Sequence, residues 1–218
     1  MRTHSMNKKT IITLLVIGII LVGGCFGLVE YLSYKTVHIV FKQDDLAITI
    51  YKDNNKKKAD VSSSSDIMLK KGTYYYTPTT DAFSHDKVYF TINSDDTTVE
   101  ISPAYSSARL STLLSQDTAT IHTILTSSYS MMSNYVIADE TLYHHGEWYS
   151  ARLIERVTGS NEPDVYRVIL QKNNDTWKIV ASPRLVISIK DFPNIPDYVI
   201  RQVNKAPSTQ ALDSSRAS

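Results

Sequence analysis

The chain has 218 residues, 42% of them hydrophobic and 21% charged, with 14 tyrosines against 7 glycines and 7 prolines. That apolar content excludes a disordered chain, and beyond an N-terminal anchor of roughly thirty residues it leaves room for one large domain or two small ones. The formal charge of +1 is uneven: Arg2, Lys8 and Lys9 precede every acid, and from Glu30 onward 20 bases face 22 acids, which excludes a general attraction for nucleic acid or anionic lipid.

From Thr10 to Val29 no residue is charged. As a helix, that run of about twenty residues spans a hydrocarbon core. With the bases on its N-terminal side, the positive-inside rule puts residues 1–9 in the cytoplasm and the rest outside. The expected anchor covers residues 10–32. Leu21-Val22-Gly23-Gly24-Cys25 resembles the lipobox of bacterial lipoproteins, which implies cleavage after Gly24 and lipidation of Cys25. Phe26 to Val29 continue the apolar run where a lipoprotein usually has a polar tether, so an uncleaved signal anchor and a lipoprotein both stand, with a secreted product as a third reading. With one cysteine, no intramolecular disulfide can form.

Residues 36–103 read as strands. Val37, Ile39 and Phe41 alternate with other residues, as do Leu46, Ile48 and Ile50, then Val88, Phe90 and Ile92, then Val99 and Ile101. A period of two puts one apolar face on a core. Polar stretches at 53–58, 62–66 and 93–96 separate the runs, the last as a hairpin-type turn. The spacing predicts a small antiparallel β-sandwich. Leu69-Lys70-Lys71-Gly72-Thr73-Tyr74-Tyr75-Tyr76, which follows a strand and a polar turn and precedes two more strands, resembles the PEGA family of extracytoplasmic β-sandwiches; where that family has its Pro-x-Gly-Ala turn, this chain has Gln43-Asp44-Asp45-Leu46. The resemblance implies envelope attachment without catalysis.

After a linker at 103–109 the period changes. Leu110, Leu113, Leu114, Ile121, Ile124, Leu125, Met132 and Tyr135 recur at three and four, a helix face, with a break near Gln116 and a fresh cap at Asp117. Strands follow at 148–157, 165–172 and 177–181, with a hairpin tip at Asn173-Asn174-Asp175 and a last strand at 185–189. Phe192 to Tyr198 form an irregular clamp, Ile200 and Val203 suggest a short helix, and residues 205–218 lack periodicity and are expected to be disordered. The helix, Gly146-Glu147-Trp148-Tyr149 and the Asn174-Asp175-Thr176-Trp177-Lys178 hairpin resemble the cystatin-like cone of the nuclear transport factor 2 superfamily over 108–204. The expected fold class is thus a membrane anchor helix, an antiparallel sandwich and an α+β cone.

Tyr143-His144-His145-Gly146-Glu147-Trp148-Tyr149 is the densest cluster of chemistry-bearing residues, yet adjacent histidines in a strand point to opposite faces and no zinc motif is present. Asp139, Glu140, His144 and Glu147 are conceivable acids or bases in a cone, but no nucleophile elbow or phosphate loop accompanies them. No metal or cofactor is expected. Lys56-Lys57-Lys58, beside Asp53 and Asp60, reads as a solvated tip. The candidate contact residues are Tyr74, Tyr76, Tyr143, His144, Trp148 and Tyr149, since exposed aromatics stack on sugars or dock a partner. The expected function is a non-catalytic, membrane-anchored bacterial envelope protein that acts through protein contacts. The cone resemblance also implies an assembly subunit of a type IV secretion or conjugation machine, and a further alternative is a small-ligand or glycan binder.

Overall fold

The computed structural model describes residues 33–157 and 162–216, in two compact units: 33–80 with 85–103, and 81–84 with 104–216. The described part of the first unit holds β1 (Tyr34–Phe41), β2 (Ile48–Lys52), β3 (Lys57–Val61), β4 (Ser65–Lys70), β5 (Gly72–Pro78), β6 (Val88–Ile92) and β7 (Thr97–Ile101). They form a three-stranded sheet in the order β4-β1-β7 and a four-stranded sheet in the order β3-β2-β5-β6. The period-two pattern selects the buried face: Val37, Ile39, Ile48 and Ile50 are at most 1% exposed. Each such side chain contributes about 1.5–3 kcal/mol by leaving water. Asn55 and Asp96 take left-handed backbone at the turns, with φ of 62° and 58°, a conformation their short polar side chains tolerate.

The second unit runs α1 (Ser107–Ser128), a 3₁₀ turn (Ser130–Asn134), β8 (Tyr135–Tyr143), β9 (Trp148–Glu155), β10 (Val165–Asn173), β11 (Thr176–Arg184), α2 (Asp197–Val203) and α3 (Thr209–Arg216). The strands pair antiparallel in the order β11-β10-β9-β8. Helix α1 starts where the Ser106 hydroxyl accepts the amide of Arg109. Its apolar residues bury Ile121 and Leu125 against Tyr149, Ala151, Leu153, Val168, Leu170 and Trp177. On its wet side, the hydroxyls of Thr112, Thr118, Thr123 and Thr126 donate to carbonyls one turn back, so a Thr-rich face keeps its polar groups satisfied. Strand alternation sends Trp148, Ile169 and Ala181 to the opposite face, where Ile187, Ile195, Val199, Ile200 and Val203 cover them. The sheet is therefore covered on both sides, which is why β9 and the middle of β10 are buried continuously rather than in strict alternation.

Several expectations are corrected. Among the described residues, the expected antiparallel sandwich and cystatin-like cone give way to a mainly β fold with three sheets. Strand β7 leaves β6 and pairs in parallel with β1, with Ile39 opposite Val99 and Phe41 opposite Ile101, so residues 93–96 connect two sheets rather than closing a hairpin. Among the described residues the sheet of the second unit encloses no hollow, because α1 packs on one face and the segment 187–203 on the other. Among the described residues no helix is long and apolar enough to cross a membrane; the expected anchor at 10–32, with Cys25, lies outside them. Helix α1 runs unbroken past Gln116, and Asp117 pairs with Lys172 at 3.0 Å instead of capping. Residues 185–189 are not a strand, and the tail expected to be disordered contains α3.

Candidate functional site

The Tyr74-Tyr75-Tyr76 run lies on β5 between β2 and β6. Tyr74 and Tyr76, expected to be exposed, are 1% and 2% exposed, and this is a correction. Both face the core with Ile50, and the Tyr74 hydroxyl donates to the Lys70 carbonyl at 2.8 Å. Burial raises the pKa of both hydroxyls above the usual phenol value. The aromatic on the other face is Tyr75. Cross-strand pairing aligns it with Tyr51 and Tyr89, with ring centroids 5.1 Å and 5.5 Å away, and Lys87 Nζ sits 4.5 Å above its ring. Tyr51 and Tyr75 stack at an interplanar angle of 14°, so their ring faces are used on each other. In this ladder Tyr89 is 57% exposed.

Tyr143 ends β8, and His144, His145, Gly146 and Glu147 form the turn into β9. His144 and Gly146 have φ of 60° and 81°, and the Gly146 amide donates to the Tyr143 carbonyl at 3.0 Å. Because the turn is not a strand, the two imidazoles do not diverge: their centroids are 4.1 Å apart, edge to face. Burial, then the neighbouring His145, lowers the pKa of His144 against the opposing pull of Glu147. His145 also meets the Tyr105 ring edge-on at 5.0 Å, and the Arg109 guanidinium lies 3.9 Å from the Tyr105 centroid. These groups line an open cleft of about 360 Å³ with Asp117, Glu147 and Lys172. Among the described residues, no three side chains of the metal-ligating types converge. Trp148 and Tyr149, the other two expected contact residues, are 7% and 0% exposed and lie on opposite faces of the sheet.

Asp139 and Glu140, each with at least two hydrogen bonds, lie on a β-bulge in β8. The register with β9 shifts between Ala138 and Thr141, and Asp139 takes φ 49°. The extra residue breaks the alternation, so Asp139 reaches the Arg152 face of the sheet while Glu140 turns toward α1. On the α1 face, Glu140 Oε2 accepts from the Tyr149 hydroxyl at 2.9 Å and lies 2.9 Å from His122 Nε2. Burial and the adjacent carboxylate push the Tyr149 pKa far up, so its hydroxyl stays a donor.

On the other face, Asp139 Oδ2 accepts from Arg152 Nη1 and from the Ser208 amide, both at 2.9 Å, and Oδ1 accepts from the Ser208 hydroxyl at 2.6 Å. Arg152 also donates to the carbonyls of Gln202 and Lys205. Burial opposes ionisation of Asp139, but the Ser208 and Arg152 donors outweigh it and hold the pKa below the usual carboxylate value. Both carboxylates, with Tyr143, Arg152, Gln202 and Ser208, border a second open cleft of about 630 Å³.

Glu140 and Asp139 are conceivable from sequence, whereas His122, Arg152 and Ser208 carry no motif that singles them out. One signal is available for Arg152: a cation inside the apolar run Ala151-Arg152-Leu153-Ile154 must find a partner when that strand is buried.

No family model and no curated protein matches the chain. Two solved structures are similar in part. The Bacillus anthracis TIE protein is 18% identical with a TM-score of 0.26, over 31% of this chain and 15% of that one. A DUF3823 family protein from Bacteroides ovatus is 9% identical with a TM-score of 0.23, over 69% of this chain and 93% of that one. This chain thus spans a small part of the first, and at these TM-scores neither likeness carries an argument about fold or function.

Proposed function

We propose that the chain is a non-catalytic bacterial envelope protein, held at a membrane by its uncharged 10–29 segment, that acts on the outer side through protein contacts. The observation that carries this reading is the filling of both faces of the β8–β11 sheet. Tyr149, Leu125, Ile121 and Trp177 occupy the space beneath α1, and Trp148, Ile187, Val199, Ile200 and Val203 close the other side. With those faces occupied by side chains, the binding capacity left to this unit is on its outer surface, which favours contacts over an enclosed reaction chamber. The reading includes no cofactor, no metal and no nucleic-acid partner. The small-ligand alternative loses support, since it needs the space that Tyr149 and Trp177 occupy.

The test is in-cell crosslinking of the full-length chain followed by mass spectrometry of what is attached. Recurrent links from the second unit to a defined set of membrane or surface proteins are expected. Self-links alone, or nothing above background, would overturn the contact reading.

A further inference from the structure

The segment after β11 presents three aliphatic side chains to solvent within five residues. Leu185, Val186 and Ile189 are 55%, 65% and 44% exposed, while Ile187 between them is 1% exposed and packs under the sheet. A cluster of this kind marks a contact surface.

Its backbone is held in place from inside the protein. The Ile187 amide donates to Asn204 Oδ1 at 3.1 Å, and Asn204 Nδ2 donates to the Ile187 carbonyl at 2.7 Å, so one carboxamide replaces a partner strand. Arg167 Nη1 donates to the Leu185 carbonyl. The Ser188 carbonyl accepts the amides of Asp191 and Phe192, and the Ser188 hydroxyl accepts the amide of Lys190. The aliphatics are therefore displayed by a fixed turn.

We infer that this turn is a second membrane contact, with Leu185, Val186 and Ile189 entering the lipid interface. The inference rests on the proposed membrane location and adds to it the surface of the folded part that meets the bilayer. Two features favour lipid over a protein groove. The exposed side chains are purely aliphatic, whereas protein hot spots are enriched in Trp, Tyr and Arg and poor in Leu and Val. Arg184 and Lys190 flank the turn and outnumber the one adjacent acid, Asp191, so the rim suits anionic headgroups although the outer part of the chain as a whole is slightly acidic.

The experiment uses the full-length chain carrying an environment-sensitive fluorescent amino acid at position 186, reconstituted into phosphatidylcholine–phosphatidylglycerol vesicles. A second protein carries the same probe at position 123, an exposed site on α1. Flotation is measured first, then quenching by aqueous iodide and by lipid-borne nitroxide. The expected result is flotation, with the 186 probe several-fold better shielded from iodide than the 123 probe and quenched from the lipid side. Flotation with equal iodide access at both positions would overturn the second contact and leave the anchor standing. Failure to float would overturn both.

Discussion

The two faces of the β8–β11 sheet put one carboxylate each to different use. Glu140, on the α1 face, is held by a phenol and an imidazole, groups that are neutral or titratable. Asp139, one residue earlier, is held by a guanidinium, a backbone amide and a hydroxyl. The difference follows from what each joins. Glu140 ties α1 to a sheet that an apolar cluster already holds, so its hydrogen bonds add to a contact that exists without them. Asp139 and Arg152 join the sheet to Gln202, Lys205 and Ser208, a stretch leading into α3, a helix in which only Ala211 and Ser215 are buried. There the polar network is most of the attachment.

The largest expected effect is therefore on the Arg152 side. Removing the guanidinium in Arg152→Met leaves the Asp139 carboxylate part-buried without its cation and the Lys205 carbonyl without its Arg152 donor, while the Gln202 carbonyl keeps the Lys205 amide. Loss of one partner of a buried pair costs about 3–5 kcal/mol, and the remaining exposure of this pair places the expected loss near the lower end, at ~3 kcal/mol by urea unfolding. Adding Asp139→Asn should recover part of that loss, because Asn tolerates the left-handed backbone and carries no charge. If the double variant is as unstable as the sum of the two singles, the penalty does not come from the stranded charge.

The same pair gives a pH dependence with a definite sign. The folded pKa of Asp139 is lowered from 3.8, so its contribution is fully present above the unfolded value and is lost as pH falls through the folded value. Amide exchange in α3 should accelerate across that acid window while exchange in α1 around Ile121 and Leu125 does not. Simultaneous loss of protection in both helices would mean that α3 is not separately latched.

Much of this framework is legible in the sequence, and what escapes does so for physical reasons. The alternation through Val37–Phe41 and Leu46–Ile50 and the three-and-four spacing from Leu110 to Leu125 report burial directly, so those elements stand where they are expected. The parallel pairing of β7 with β1 is not legible, because alternation fixes which face of a strand is buried but not which neighbour it takes. Nor is the burial of Tyr74 and Tyr76, since a run of three tyrosines fits either face and only the register with Ile50 decides. Helix α3 escapes because Thr209 to Arg216 holds only two apolar residues, Ala211 and Leu212, and Ser208 at its start meets a carboxylate 69 positions away. The bulge that brings Asp139 to that meeting leaves no composition signal at all.

The smallest predicted effect sharpens the contrast from the α1 side. Tyr149→Phe removes one hydroxyl from a ring that is otherwise fully buried and keeps its contacts with Leu125 and Trp177. Glu140 retains His122 at 2.9 Å and is partly open to water, so it is not stranded as Asp139 would be. The expected loss is that of a single hydrogen bond, about 1 kcal/mol, read as a small shift of the urea midpoint at constant slope. A loss as large as that of Arg152→Met would mean that the Glu140 hydrogen bonds, rather than the apolar cluster, hold α1 to the sheet.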